Sequence, residues 1–251
     1  MEGKADWGCA MRRMLGPMFR KMSSRGLLAI GISVASMVVC QTAFAVQWTG
    51  MTTISDVSAA RGARAHIERY NPDVTAESSS AWAAVCNQYD SSYGYAQVGY
   101  LEYESWGDHP YYFYEYSDNG GNDPGPQKIG LVPNGGNYDG SDDLFTVQYV
   151  AGGHIEYRIN GVVEHTSGHN WTPDTCEWSG EIHEIITYPQ MPGDPTHKVD
   201  FTSPALYSNN DDSWHVVSPD TDHAYDDALF GVEVLHPNAT PKYFQIYDSR
   251  Y

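Results

Sequence analysis

The sequence predicts an all-β fold, a sandwich or barrel of short antiparallel strands. Tyr and Trp are dense from Ser78 onward, and the chain has 19 Tyr and 7 Trp in 251 residues. Gly and Asn interrupt the apolar runs at short intervals, and no 3.6-residue apolar period is sustained. Short runs bounded by turn residues are typical of sandwiches and barrels. We therefore expect one sandwich domain over residues 78–206.

The clearest local signal is Asn160-Gly161, because both residues tolerate the positive φ of a type I′ hairpin turn. Strands are expected on both sides of this turn and in the other runs of alternating or continuous apolar residues. They are Ser80–Cys86, Gly94–Glu104, Pro110–Tyr116, Leu144–Val150, His154–Asn160, Val162–His165, Trp178–Tyr188 and Lys198–Ser203, with one more at Leu229–Leu235.

Three segments lack a strong strand pattern. Residues 46–77 are expected to be a lead-in that adds an edge strand or stays loose. Asn119–Gly140, rich in Gly, Asn and Pro, predicts a long loop. Residues 207–251 predict an acidic extension with room for added strands. Its cluster of acidic and histidine residues favours a solvated loop over a calcium site, since the spacing of a calcium-binding loop is absent.

The first 45 residues predict a secretory signal peptide. A basic lead precedes the apolar run Gly26–Cys40, and Ala43-Phe44-Ala45 matches a small-x-small cleavage sequence. Cleavage after Ala45 leaves 8 Lys and Arg against 30 Asp and Glu in 206 residues. Because the predicted mature chain is strongly negative, it should repel nucleic acid and anionic membrane surfaces, and neither is expected as a partner. We expect a secreted protein with no membrane attachment after cleavage.

Two of the four cysteines, Cys86 and Cys176, remain after the predicted cleavage. Two cysteines in an exported chain most often pair, so a disulfide between them is expected, with two buried free thiols as the alternative. No pair of cysteines has metal-binding spacing, and we predict no metal or cofactor site.

The stretch from Cys176 to Glu184 carries the most suggestive polar residues. It alternates as a half-buried strand does, and a period of two places Ser179, Glu181 and His183 on one face. A carboxylate held on a strand beside a titratable partner is a candidate for acid–base chemistry. A solvated face of an acidic protein is the alternative interpretation.

Four short motifs in a fixed order resemble a known family. They are Ser80-Ala81-Trp82-Ala83-Ala84-Val85, Tyr95-Ala96-Gln97-Val98-Gly99, the aromatic run from Tyr111 to Tyr116, and Cys176-Glu177-Trp178-Ser179-Gly180-Glu181, followed by Val199-Asp200-Phe201-Thr202. This series resembles the glutamic peptidases, or eqolisins, and their bacterial relatives, which are secreted sandwiches of the concanavalin-like jelly-roll type. Val98 and Ile182 depart from the pattern of that family.

The resemblance implies an acid endopeptidase. Gln97 stands where the family has its catalytic Gln, and Glu181 stands where it has its catalytic Glu. Trp82 matches a tryptophan that precedes them. The resemblance further implies that Tyr112, Tyr114 and Tyr116 form the aromatic floor of a cleft that binds a polypeptide substrate. His183 is a candidate neighbour that lowers the pKa of Glu181 when protonated.

Two other functions remain open at this level. A binding module on the same sandwich would hold extracellular glycan on aromatic platforms, with Tyr111, Trp106 and the same three tyrosines. A glycosidase would need two carboxylates facing each other, such as Glu115 and Glu181, about 5.5 Å apart for retention or about 6.5–9.5 Å apart for inversion.

Overall fold

The protein is a sandwich of two antiparallel sheets. The computed structural model describes residues 45–53, 60–75, 77–87, 94–106, 109–118, 128–132, 140–184, 189–217, 221–222, 229–235 and 243–251. The predicted signal peptide and parts of the predicted loop and tail lie outside these ranges. The predicted all-β, antiparallel jelly-roll sandwich is confirmed.

The strands run in chain order as follows: β1 (Ala45–Thr52), β2 (Ala60–Glu68), β3 (Ser78–Cys86), β4 (Tyr95–Tyr103), β5 (Tyr111–Ser117), β6 (Lys128–Val132), β7 (Asp142–Val150), β8 (His154–Ile159), β9 (Val162–Gly168), β10 (Thr175–Glu184), β11 (Val199–Ser208), β12 (Ser213–Val216), β13 (Thr221–Asp222), β14 (Phe230–Leu235) and β15 (Tyr243–Asp248). A short 3₁₀ helix, Glu104–Trp106, follows β4.

The first sheet has the order β13-β1-β10-β3-β4-β5-β6. The second sheet has the order β14-β15-β11-β2-β7-β8-β9, and β12 pairs with β11. Between the sheets lies one apolar core, to which the first sheet contributes Val98 and Trp178 and the second contributes Phe145 and Phe201. The Asn160-Gly161 turn joins β8 to β9 with φ of 51° and 83°, as its sequence predicts.

The lead-in and the tail are parts of the sandwich. β1 lies between β13 and β10, and β2 lies between β11 and β7 in the interior of the second sheet. The expectation of an edge strand or a loose segment at residues 46–77 is therefore wrong. The alternating buried positions of β2 are Ala63, Ala65 and Ile67, two of them small, so its buried face is weakly apolar in the sequence.

The boundary predicted after residue 206 falls inside β11, which ends at Ser208. The following residues add β12 and β14–β15 to the second sheet and β13 to the first. Within the predicted loop Asn119–Gly140, residues 128–132 form β6, the end strand of the first sheet. The tail and the loop thus complete both sheets.

Candidate functional site

One face of the first sheet points away from the second sheet, and we call it the outer face. The inner face carries Ala81, Ala83 and Val85 of β3, which belong to the core. Because side chains alternate along a strand, Trp82 and Ala84 point to the outer face. These two residues form a separate small cluster with Leu101 and Phe113. The outer face therefore has its own packing, distinct from the core.

Strand register aligns four outer-face residues in one row across the sheet. Glu115 on β5 is opposite Gln97 on β4, Gln97 is opposite Ala84 on β3, and Ala84 is opposite Glu177 on β10. We call this set the glutamine row. Strands are about 4.8 Å apart, so the Cα atoms of Gln97 and Glu177 are about 10 Å apart.

The Gln97 amide is held by its neighbour on β5. Gln97 Nε2 donates to Glu115 Oε2 at 2.9 Å, and the Tyr95 hydroxyl donates to Glu115 Oε1 at 2.5 Å. The exposed fractions are 2% for Gln97, 5% for Glu115 and 2% for Tyr95. A buried amide with an anchored N–H has a fixed orientation, which is what positioning a reacting group requires.

Glu181 is held by Trp82. Trp82 Nε1 donates to Glu181 Oε2 at 2.8 Å, and both side chains are 1% exposed. Trp82 is opposite Ser179, so the indole reaches diagonally across to the glutamate two residues further along β10. A hydrogen bond to a carboxylate oxygen supports the charged form of the acid.

The structure places Gln97 and Glu181 on the same face but not side by side. Glu181 is opposite Ser80, four residues along β10 from Glu177, the residue in the row of Gln97. On a flat sheet this offset adds about 13 Å along the strand, so the Cα atoms of Gln97 and Glu181 are about 16 Å apart. Trp82 lies between the two residues on β3.

The three tyrosines predicted to form the cleft floor lie on the other face. Because Glu115 shares the outer face with Gln97, Tyr114 and Tyr116 alternate to the inner face, opposite Val98 and Ala96. Tyr112, Tyr114 and Tyr116 all pack against the core. The prediction that these tyrosines share a surface with Gln97 and Glu181 is wrong, because it followed the motif and did not apply the alternation of the strand.

Contacts of these tyrosines are internal to the sandwich. The Tyr114 ring stacks on His165 with centroids 4.1 Å apart, and the Tyr112 hydroxyl donates to Asp143 Oδ2 at 2.8 Å. Tyr111 is opposite Leu101 and belongs to the outer face. The side chains of Trp106 and His183 lie outside the described residues. The backbone of His183 pairs with Val46 and Ser78.

The expected disulfide between Cys86 and Cys176 is not formed. Cys176 is opposite Val85, and Cys86 is opposite Thr175, so the two cysteines point to opposite faces of the sheet. The Cys176 thiol is free and buried, and it donates to the Gly62 carbonyl at 3.2 Å. The Cys86 Sγ lies on the outer face, 3.9 Å from Glu177 Oε2.

Sequence reasoning missed two partners on the outer face. Glu177 has an exposed fraction of 1% and lies two positions before Ser179 on the same face. The alternation that groups Ser179 with Glu181 extends to Glu177 and would have identified it. Alternation in the sequence also groups Tyr95 with Gln97 on β4, but it does not show that both side chains bond Glu115 across the sheet.

No metal centre or membrane span is found within the described ranges. No group of three or more His, Cys, Asp or Glu side chains there is arranged to hold a metal ion. In the same part of the chain, no helix is long and apolar enough to cross a membrane.

The sequence matches no family model and no curated protein. Solved structures similar to this fold include Scytalido-glutamic peptidase with a peptide-based transition-state analogue, at a TM-score of 0.54 and 12% identity. The same peptidase with a transition-state analogue inhibitor has a TM-score of 0.53 and 12% identity. Each match covers 82% of this chain and 99% of the other. The chain therefore has the sandwich fold that Scytalido-glutamic peptidase also has.

Proposed function

We propose that the protein is a secreted acid endopeptidase of the glutamic class, which hydrolyses peptide bonds with a water molecule activated by Glu181. One observation carries the proposal: Gln97, Trp82 and Glu181 share the outer face, and the Trp82 indole donates to Glu181 Oε2 at 2.8 Å. The similarity in fold to a glutamic peptidase supports the same assignment.

The chemistry requires one base and one donor. The Glu181 carboxylate accepts a proton from water as the water oxygen bonds to the peptide carbonyl carbon. The side-chain amide of Gln97 donates to the oxyanion that forms. Because the Cα atoms of Gln97 and Glu181 are about 16 Å apart, this step requires the two side chains to lean towards each other over Trp82 when substrate binds. Glu181 then passes its proton to the leaving nitrogen as the carbon–nitrogen bond breaks. Since the ordinary pKa of a glutamate is about 4.3, we expect an acidic optimum.

The glycan-binding alternative is weakened because its aromatic residues do not share one surface. Tyr112, Tyr114 and Tyr116 are partly buried and pack against the core between the sheets, whereas Tyr111 lies on the outer face. The strand register also disfavours a glycosidase that uses Glu115 and Glu181, because it places these two residues far apart on the outer face. These residues are three strands and four positions apart, so their Cα atoms are about 19 Å apart on a flat sheet. The two carboxyl groups of a glycosidase lie about 5–9.5 Å apart. Here the Glu115 carboxylate is held by Tyr95 and Gln97 of β4 and the Glu181 carboxylate by Trp82 of β3, which keeps the two groups from converging.

The burial of the outer face determines how the cleavage assay must be carried out. Gln97, Trp82 and Glu181 are each 1–2% exposed, so the face must open before a polypeptide reaches it. The full chain should therefore be incubated at each pH before an unfolded protein substrate is added. Cleavage is then followed from pH 2 to pH 7.

The test compares two site variants with two matched controls. Glu181→Gln and Gln97→Ala are expected to lower the cleavage rate by about 100-fold or more. Glu102→Gln changes a buried glutamate on the inner face of β4, and Gln190→Ala changes a buried glutamine that bonds Tyr70 and Asp73; both should retain activity. Circular dichroism checks the folding of each variant. A folded wild-type chain that cleaves nothing at any pH overturns the proposal.

A further inference from the structure

A hydrogen-bonded chain of side chains joins the two sheets and includes none of the residues assigned to peptide hydrolysis. Ser167 is the last residue but one of β9, which is the end strand of the second sheet. Its hydroxyl bonds Nε2 of His169, and Nδ1 of the same ring lies 2.6 Å from Asp118 Oδ1. Asp118 follows β5 of the first sheet. A serine, a histidine and an aspartate are therefore joined in one line.

The direction of each hydrogen bond in this line follows from the Tyr157 hydroxyl. Tyr157 is 0% exposed, and within the described part of the chain its oxygen has one hydrogen-bond partner, Ser167 Oγ at 2.9 Å. Burial raises the pKa of this phenol, so it stays protonated and donates to Ser167. Ser167 then donates its own proton to Nε2 of His169, and Nδ1–H donates to Asp118. In this arrangement an imidazole can act as a base towards a serine hydroxyl.

The aspartate and the histidine ring are both held in place. Trp171 Nε1 donates to Asp118 Oδ1 at 3.2 Å, beside the bond from the histidine. The His169 side chain is 0% exposed, and the ring centroids of Tyr116 and Trp171 each lie 5.1 Å from its own. Asp118 is 46% exposed, so water reaches its carboxylate. An imidazole held this way keeps one tautomer, with Nε2 directed at the serine.

The backbone after Ser167 offers a donor for the oxyanion of an acyl transfer. His169 N donates to the Gly153 carbonyl on the β8 side, and Gly168 is opposite His154. Because the N–H groups of successive residues in a strand point to opposite sides, the N–H of Gly168 points away from β8. Among the described strands, β8 is the one that pairs with β9. This N–H therefore faces the open edge of the sheet, one residue after the serine.

The sheet edge beside Ser167 has room for a small substrate. Ser167 itself is 5% exposed, but its neighbours Thr166 and Gly168 are both exposed. A Cβ added at Gly168 would meet nothing nearer than the His154 ring at 3.6 Å, apart from its own chain neighbours. A small molecule can therefore approach the serine from this edge.

We propose that Ser167, His169 and Asp118 form a second catalytic site, a serine hydrolase centre that cleaves small carboxylic esters. The Ser167 oxygen bonds to the ester carbonyl carbon while its proton passes to His169 Nε2. The N–H of Gly168 donates to the oxyanion. The carbon–oxygen bond to the alcohol breaks, and the alcohol takes the proton from His169. Water then cleaves the acyl-serine with the same base, and the proton returns to Ser167.

The test treats the folded full chain at pH 8 with diisopropyl fluorophosphate, a small reagent that phosphorylates activated serines and releases fluoride. Mass spectrometry of peptides should find the adduct on Ser167. Asp118→Asn and His169→Gln should lower the labelling rate by about 100-fold or more. Ser208→Ala is the control, because Ser208 is a serine of similar burial near the end of β11, and this variant should be labelled as wild type is. Circular dichroism checks the folding of each variant.

Hydrolysis of p-nitrophenyl acetate gives a second measurement. Asp118 and Tyr116 contact the His169 ring, and Tyr157 reaches it through Ser167. Because the neutral imidazole is the base, hydrolysis should be faster at pH 8 than at pH 5. It should stop in Ser167→Ala and in the labelled wild-type chain.

A purely structural role for the three residues would lower stability in the variants without making Ser167 reactive. A folded wild-type chain that forms no adduct on Ser167 overturns the proposal, and so does a folded His169→Gln variant labelled at the wild-type rate. The acid cleavage of a polypeptide by Glu181 is measured separately, so either activity can fail without the other.

Discussion

The indole of Trp82 and the carboxylate of Glu181 form a hydrogen bond of 2.8 Å between neighbouring strands, and both side chains are buried. This bond fixes the glutamate on the outer face of the first sheet. It also supplies a donor to a carboxylate in surroundings where a buried charge is costly.

The first prediction concerns Trp82→Phe, which removes the indole donor. We expect a loss of stability of about 1–3 kcal/mol and a fall in kcat/KM of about tenfold or more. Urea unfolding and the rate of hydrolysis of an unfolded protein substrate measure the two effects.

Trp178→Phe is the matched control for Trp82→Phe. Trp178 is fully buried on the neighbouring strand, and its Nε1 donates to the Arg64 carbonyl at 3.0 Å on the inner side of the sheet. A similar loss of stability is expected, with hydrolysis unchanged below the unfolding temperature. Equal effects of the two variants on hydrolysis would contradict a specific role for Trp82.

The second prediction concerns the cysteines. Burial, together with the nearby carboxylates of Glu177 and Asp174, raises the pKa of the Cys176 thiol. The native protein should therefore keep Cys176 unreactive towards a thiol reagent, and the same residue should react after denaturation. Peptide mapping without reductant should yield no peptide that links Cys86 to Cys176. Cys176→Ala identifies the thiol signal, and a linked peptide would contradict the register of β3 and β10.

The third prediction concerns stability in acid. Asp194 accepts hydrogen bonds from the Thr196 hydroxyl, from the backbone N–H groups of His197 and Thr196, and from the Tyr70 hydroxyl, and they lower its pKa to about 2. The unfolded value is about 3.9. Its stabilising effect is therefore fully present above pH 4 and is lost as the pH falls through about 2.

Asp194→Ala should accordingly be less stable than wild type at pH 5, and the difference should shrink between pH 4 and pH 2. Thr196→Ala, which removes the hydroxyl donor but keeps the backbone donors, should show the same dependence with a smaller amplitude. Urea unfolding at a series of pH values checks both variants. A difference in stability that is equal at pH 2 and pH 5 would contradict the role of the ionised Asp194.

The local pattern of alternating apolar residues and turn residues was enough to predict several strands of the first sheet. The sequence placed β3, β4 and β5 within two residues of their observed ends, because alternation and turn residues act over a few neighbours. It missed β2, whose buried alanines give a weak apolar signal. It also missed β6, which lies in a segment dominated by turn residues.

The sequence by itself determined that the chain is an all-β protein and that Ser179 and Glu181 share a face of one strand, since both follow from a period of two. Only the tertiary structure decided which residues meet across strands. The pairing of β4 with β3 and of β3 with β10 placed Glu177 in line with Gln97, separated Cys86 from Cys176, and turned Tyr112, Tyr114 and Tyr116 towards the core. Register has this effect because it is set by contacts between segments about 15 to 100 residues apart, and a shift of one residue moves every side chain to the other face.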